Sequence, residues 1–170
     1  MKTKVILTLC VVFVLSVVST ASAQVTLVAG SAEDKAFTAA TSEQNLDTKI
    51  TLLLEFEKQF PQSKALPDIY VTLMDVYNQK NDRAKLIETG EKAIKVDPDN
   101  YTALMHVSRN YAIEKKNLAV AGQYAQRALD ALAKKKAEPR YNEDSQWKAY
   151  VDSTEGAAKA NLAFVKSVKP

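Results

Sequence analysis

The chain has 170 residues, with 23 Lys and Arg against 20 Asp and Glu, one His and one Cys, and 46% of it is hydrophobic. A balance this close to neutral gives no global field to attract nucleic acid or anionic lipid, and a lone cysteine excludes a disulfide framework. With one histidine and no glycine-rich turn, the chain also lacks the usual equipment of a small enzyme: a nucleophile with its base, a metal cluster or a phosphate loop.

Residues 1–23 read as an export signal. Lys2 and Lys4 precede the apolar run Val5 to Val18, and Ala21-Ser22-Ala23 supplies a small-residue cleavage site before Gln24. The run is shorter than the roughly 20 residues of a membrane-spanning helix, so cleavage is expected rather than retention as an anchor. Cys10 sits inside the run after Leu7-Thr8-Leu9, which is not a lipidation context. Cleavage takes the basic count from 23 to 21 against 20 acids and removes the cysteine. The expected mature chain is long enough for one domain burying about two-thirds of its unfolded surface.

After a short loose tail over 24–29, helical spacing dominates and no stretch alternates as a strand would. A first pair of helices is expected at Ala32 to Glu43 and Asp47 to Gln59, the second with Ile50, Leu53, Leu54 and Phe60 on one face and Pro61 as its stop. A second pair opens at Leu66-Pro67, runs to Gln79, turns at Asn81-Asp82 and ends at Val96-Asp97-Pro98, with Ile69, Tyr70, Leu73, Met74, Tyr77, Leu86, Ile87, Ala93 and Ile94 as its core. A third runs from Tyr101 to Glu114, turns at Lys116-Asn117 and returns through Ala121, Tyr124, Ala125, Ala128, Leu129 and Leu132. A break at Glu138-Pro139-Arg140 leads to a last amphipathic helix over 145–168, with Trp147, Tyr150, Val151, Ala158, Leu162, Val165 and Val168 on one face. An unpaired helix at the end of an array is usually its cap.

One phrase recurs at a step of 34 residues: Tyr70, Leu73, Met74 and Tyr77 return as Leu104, Val107, Ser108 and Tyr111. A fixed period of that length indicates stacked helical hairpins. Residues 67–100 resemble a tetratricopeptide repeat (TPR), with its pattern W-x2-L-G-x2-Y, A-x3-F and a closing P. Tyr70 stands at the tryptophan, Leu73 at the leucine, Met74 at the glycine, Tyr77 at the tyrosine, Leu86 at the alanine, Gly90 at the phenylalanine, Ala93 at a further small position and Pro98 at the proline. The spacing matches better than the identities. Residues 101–136 form a degenerate copy with one inserted residue near Lys115 to Asn117, and 30–63 a weak first copy carrying Ala36, Phe37 and Ala40. The expected fold is therefore all-α, a TPR-like right-handed superhelix of three hairpins with a C-terminal capping helix.

The resemblance implies a concave groove lined by the first helix of each hairpin. The matching positions are Asp75, Asn78, Gln79, Met105, His106, Arg109 and Ile113, with Lys148 on the cap. That mixture suits an extended peptide. Arg109 offers a carboxylate two hydrogen bonds, Asn78 and Gln79 meet peptide groups, and Met105 with Ile113 supplies an apolar floor. Family members that clamp a partner's C-terminal carboxylate use an asparagine where this chain has Asp75 and a lysine where it has Met105; only Arg109 agrees, so that clamp is not expected.

Other local features have structural explanations. His106 has no second histidine at helical spacing to form a metal face. Asp97-Pro98-Asp99-Asn100 lacks the glycine and distal glutamate of a calcium loop and reads as a helix stop and cap. Asn100-Tyr101-Thr102 is formally a glycosylation acceptor but falls in a hairpin turn. Lys134, Lys135, Lys136 and Arg140 suit the negative end of a helix. These residues point to an exported, periplasmic or secreted, non-enzymatic scaffold or adaptor that binds a protein or peptide and needs no cofactor or metal. A self-associating oligomer built on the same repeats is the alternative, and a small enzyme the remote one.

Overall fold

Five of the eight helices among the described residues begin where a side chain takes over N–H groups that a first turn leaves without partners. The computed structural model describes residues 27–169; the expected leader, 1–23, and the start of the expected tail lie outside them. Ser31 caps α1 (Ala32–Ser42), and Asn45 accepts from the N–H groups of Asp47 and Thr48 to open α2 (Leu46–Gln59). Pro67 sits in the first turn of α3 (Leu66–Gln79). Asp82 caps α4 (Arg83–Val96) and Asn100 caps α5 (Tyr101–Ile113). α6 (Leu118–Ala137) follows, then the short α7 (Pro139–Glu143) and α8 (Ser145–Ser167), capped by Asp144. No strand is found among the described residues.

The chain is thus all-α, and consecutive helices pair as α1–α2, α3–α4 and α5–α6. α4 also packs on α5, the first helices of successive pairs touch one another, and α8 lies across α5 and α6. The expected boundaries hold to within about a residue, with one addition: the break at Pro139 contains α7. The apolar face of α2 is displaced from the expected one, since Phe56 is buried against Phe37 and Phe60 while Leu54 is 41% exposed. On α8, Val151, Ala158 and Val165 form a buried stripe at a seven-residue step. Tyr150 stands 48% exposed, and the buried polar residue of that face is Asn161, whose Nδ2 donates to Ser108 Oγ at 2.7 Å.

Two features repeat with the 34-residue step. Asn81 and Lys115 take left-handed φ values of 57° and 53°, letting the N–H of Asp82 reach the carbonyl of Tyr77 and that of Lys116 the carbonyl of Tyr111, each at 2.9 Å. These are the same helix-ending turn. In the third hairpin one more left-handed residue, Asn117, intervenes before α6, which is the inserted residue expected from the sequence.

The second repeating feature is a glutamate that clasps the next hairpin. Glu57 on α2 accepts from Tyr70 Oη of α3 and Lys92 Nζ of α4, both at 3.0 Å. Glu91 on α4 accepts from Tyr111 Oη of α5 and Tyr124 Oη of α6, both at 2.9 Å. Each carboxylate therefore ties both helices of the following pair to the hairpin before it. Burial and the adjoining glutamate push Tyr70 and Tyr124 up to about 12.

Where α4 passes between its neighbours, Gly90 makes room. A Cβ there would overlap Cγ2 of Val107 on α5 and lie 3.3 Å from Cε of Met74 on α3. The long side chain at position 74 and the absent one at position 90 are complementary, so the two helices can close on each other.

Gly90→Ala is therefore expected to destabilise by about 1–3 kcal/mol, because a β-branched valine in a helix has little freedom to turn aside. Gly122→Ala, at a helical site with nothing nearby, is expected to stabilise by about 0.5–1 kcal/mol. Urea unfolding compares the two; a gain at both positions would remove the close approach. A second expectation concerns alkali. Raised tyrosine pKa values mean that the unfolded chain loses its phenolic protons first, so stability is intact below about pH 10 and falls as pH rises toward about 12. Glu91→Gln should bring the Tyr124 transition back toward 10 in an ultraviolet titration; an unmoved transition would deny the clasp.

Candidate functional site

A cleft of about 230 Å³ opens between the end of α3, the start of α4 and the second half of α5. Tyr77 and Leu86 form its apolar wall with Ile113, while Asn78, Asn81, Arg83, His106, Arg109 and Asn110 supply polar groups. Its lining is drawn from the last turn of α3, the turn after it, the first turn of α4 and the face of α5 from His106 to Ile113.

Of the positions expected to line a groove, the cleft brings together Asn78, His106, Arg109 and Ile113. Asp75, one turn back along α3, lies outside the lining, yet its charge acts on His106. Gln79 is exposed and also outside it. Met105 is half-buried against the main core and the cluster beneath α8. Its side chain thus serves packing here. Lys148 belongs to a separate network, donating to Tyr141 Oη at 2.7 Å and to Asp152 at 2.9 Å.

Asn81, Arg83 and Asn110 complete the cleft without having been expected. The groove was read from first helices only, whereas the turn after α3 and the first residue of α4 carry two of the three. Their signal in the sequence is position: Asn81 and Arg83 continue the line of Asn78 around the hairpin turn.

The electrostatics of the site follow from partial burial. Desolvation holds His106 below its ordinary 6.5, Asp75 opposes that shift and Arg109 adds to it. Asp75 is held above the ordinary carboxylate range, chiefly by desolvation, although His106 and Lys49 draw it down. The imidazole is accordingly neutral at pH 7 and offers one donor and one acceptor. Arg109 lies with its guanidinium 4.9 Å from the centre of the Phe164 ring, within reach of a cation–π contact.

The basic run at the end of α6 is engaged within the molecule. Lys134 meets Asp99 at 2.6 Å, Lys135 meets Glu138 at 2.8 Å, and Lys136 bridges to Asp152 at 3.0 Å and Glu155 at 2.6 Å on α8. Arg140 pairs with Asp144 and covers the Trp147 ring. Hydrogen bonds from Tyr141, Lys148 and Lys136 hold the Asp152 carboxyl well below its usual range. Among the described residues no group of three or more His, Cys, Asp or Glu side chains is placed to hold a metal, and no helix is long and apolar enough to cross a membrane. Comparison of the chain with protein-family models, curated proteins and solved structures finds no match.

Because the chain has one histidine, nuclear magnetic resonance reads the site directly. The His106 ring protons are expected to titrate below pH 6.5, lower still in Asp75→Asn and higher in Arg109→Gln. The sign for stability follows: the folded state resists protonation, so the contribution present above pH 6.5 is lost as pH falls through the folded value. A wild-type midpoint at or above 6.5 would contradict the placement of His106.

Proposed function

We propose that the chain is an exported, non-enzymatic scaffold of the TPR-like kind, in which the cleft between the second and third hairpins binds a protein or peptide. The observation that carries this reading is the chemistry of the cleft. The side chains of Asn78, Asn81 and His106 form no hydrogen bond among the described residues, so they are available to the N–H and C=O groups of an extended chain. An apolar wall beside such groups is the usual composition of a recognition cleft.

The repeat reading is supported by the recurrence of the αL turn at Asn81 and Lys115 and of a bridging glutamate at Glu57 and Glu91, whose partners on the next hairpin differ between the two copies. Export to the periplasm or beyond rests on the character of residues 1–23 and on nothing else. A self-associating oligomer built on the same repeats is the alternative; of the surfaces it could use, the apolar stripe of α8 packs on α5 and α6 of its own chain.

Recovery of a partner from a cell-envelope extract tests the proposal when wild type is compared with His106→Ala and Arg109→Glu. Arg109 is exposed and His106 half-buried, and unchanged thermal unfolding would show that the fold is intact in both variants. Partner recovery is expected to drop about tenfold in each. Equal recovery by all three proteins would take the cleft out of the account.

A further inference from the structure

The chain has seven tyrosines, and the fate of each hydroxyl separates them. Tyr70, Tyr111, Tyr124 and Tyr141 donate to carboxylates, those of Glu57, Glu91 and Asp152. Tyr77 is buried. The hydroxyl oxygens of the remaining two, Tyr101 and Tyr150, meet each other at 3.2 Å. They come from different elements, Tyr101 from the first position of α5 and Tyr150 from the second turn of α8. Tyr101 is half-buried against the cluster of Leu132, Val151 and Ala158, which holds its ring in place, whereas Tyr150 is exposed and open to a reagent in solution. The Trp147 ring stacks on that of Tyr150, with centroids 5.5 Å apart and planes 23° from parallel.

Two phenols held in this way couple when each loses an electron. We propose that Tyr101 and Tyr150 are a modification site, at which one-electron oxidation joins their rings and staples α8 to α5. The oxidant is hydrogen peroxide acting through a haem peroxidase. Each tyrosine gives one electron to the oxidant and its phenolic proton to water. The two unpaired electrons then form a carbon–carbon bond between ring carbons ortho to the hydroxyls. Each of those carbons loses its hydrogen as a proton while each oxygen regains one. In sum the pair loses two electrons and two protons, and the peroxide is reduced to two waters. Trp147 offers a second route, because an oxidised indole takes an electron from a phenol stacked on it.

The link would supply what this chain otherwise lacks. Its lone cysteine, Cys10, lies in the expected leader, so no disulfide can fix the last helix in an oxidising compartment. A bond between residues 49 apart restricts the unfolded chain in the same way as a disulfide. Tyr111 and Tyr124 are the internal contrast. They bond to opposite oxygens of Glu91, whose carboxylate stands between their hydroxyls. That pair shares a neighbour without meeting.

The test treats the whole chain with hydrogen peroxide and a haem peroxidase, at high dilution so that coupling between molecules is slow. Dityrosine fluorescence is expected in material that still runs as a monomer, with a mass lower by two hydrogens. Digestion should release one linked fragment holding positions 101 and 150. Tyr101→Phe and Tyr150→Phe should each abolish that fragment and Tyr124→Phe should keep it, with thermal unfolding before treatment showing that all three variants fold. The linked protein should unfold about 5 °C or more above the untreated one, a gain absent from Tyr150→Phe treated alike. A fragment joining Tyr111 to Tyr124 in its place, dityrosine formed only between molecules, or oxidation without any dityrosine would overturn the proposal. So would an equal yield of the same link from chain unfolded in urea, since the folded contact would then not be its cause.

Discussion

The close approach at Gly90 is the constraint on which the arrangement of hairpins depends. α4 is the helix that joins the second pair to the third, and it can do so only because position 90 presents no side chain to Val107 and Met74. Met74 fills the space from one side, Val107 from the other, and both are fully buried. The glutamate clasp then fixes the same junction at its surface, where Glu91 takes hydrogen bonds from both helices of the third pair. Packing sets the distance and the clasp limits the rotation. The cleft lies beside this junction, lined by residues of the same three helices.

The helices themselves were legible in the sequence because their ends are written in local chemistry. Ser31, Asn45, Asp82, Asn100 and Asp144 cap by side-chain hydrogen bonds with partners two or three residues away, and Pro61, Pro98 and Pro139 mark the stops. What could not be read is whatever depends on a neighbour distant in the chain. Glu57 and Glu91 look like ordinary exposed residues of amphipathic helices until Tyr70 and Tyr111 are brought to them. Asn161 looks polar and outward, yet it is 4% exposed because Ser108 meets it across the α5–α8 contact. The candidate site was legible through the resemblance rather than through helical phase: Asn78, His106, Arg109 and Ile113 stand at positions that match a first-helix groove and line the cleft, while Asn81 and Arg83 enter through a turn that such matching does not cover. Met105 stands at another matching position and is half-buried against the main core and the cluster beneath α8.

A direct measurement of the junction uses the methionines, of which only Met74 and Met105 lie beyond the first residue. In a protein with labelled methionine and valine methyl groups, a nuclear Overhauser cross-peak between Met74 Cε and a Val107 methyl group is the expected result, because both groups crowd the space above Gly90. Its absence, with both resonances assigned and sharp, would mean that α4 does not seat between α3 and α5, and the cleft built on that seating would go with it.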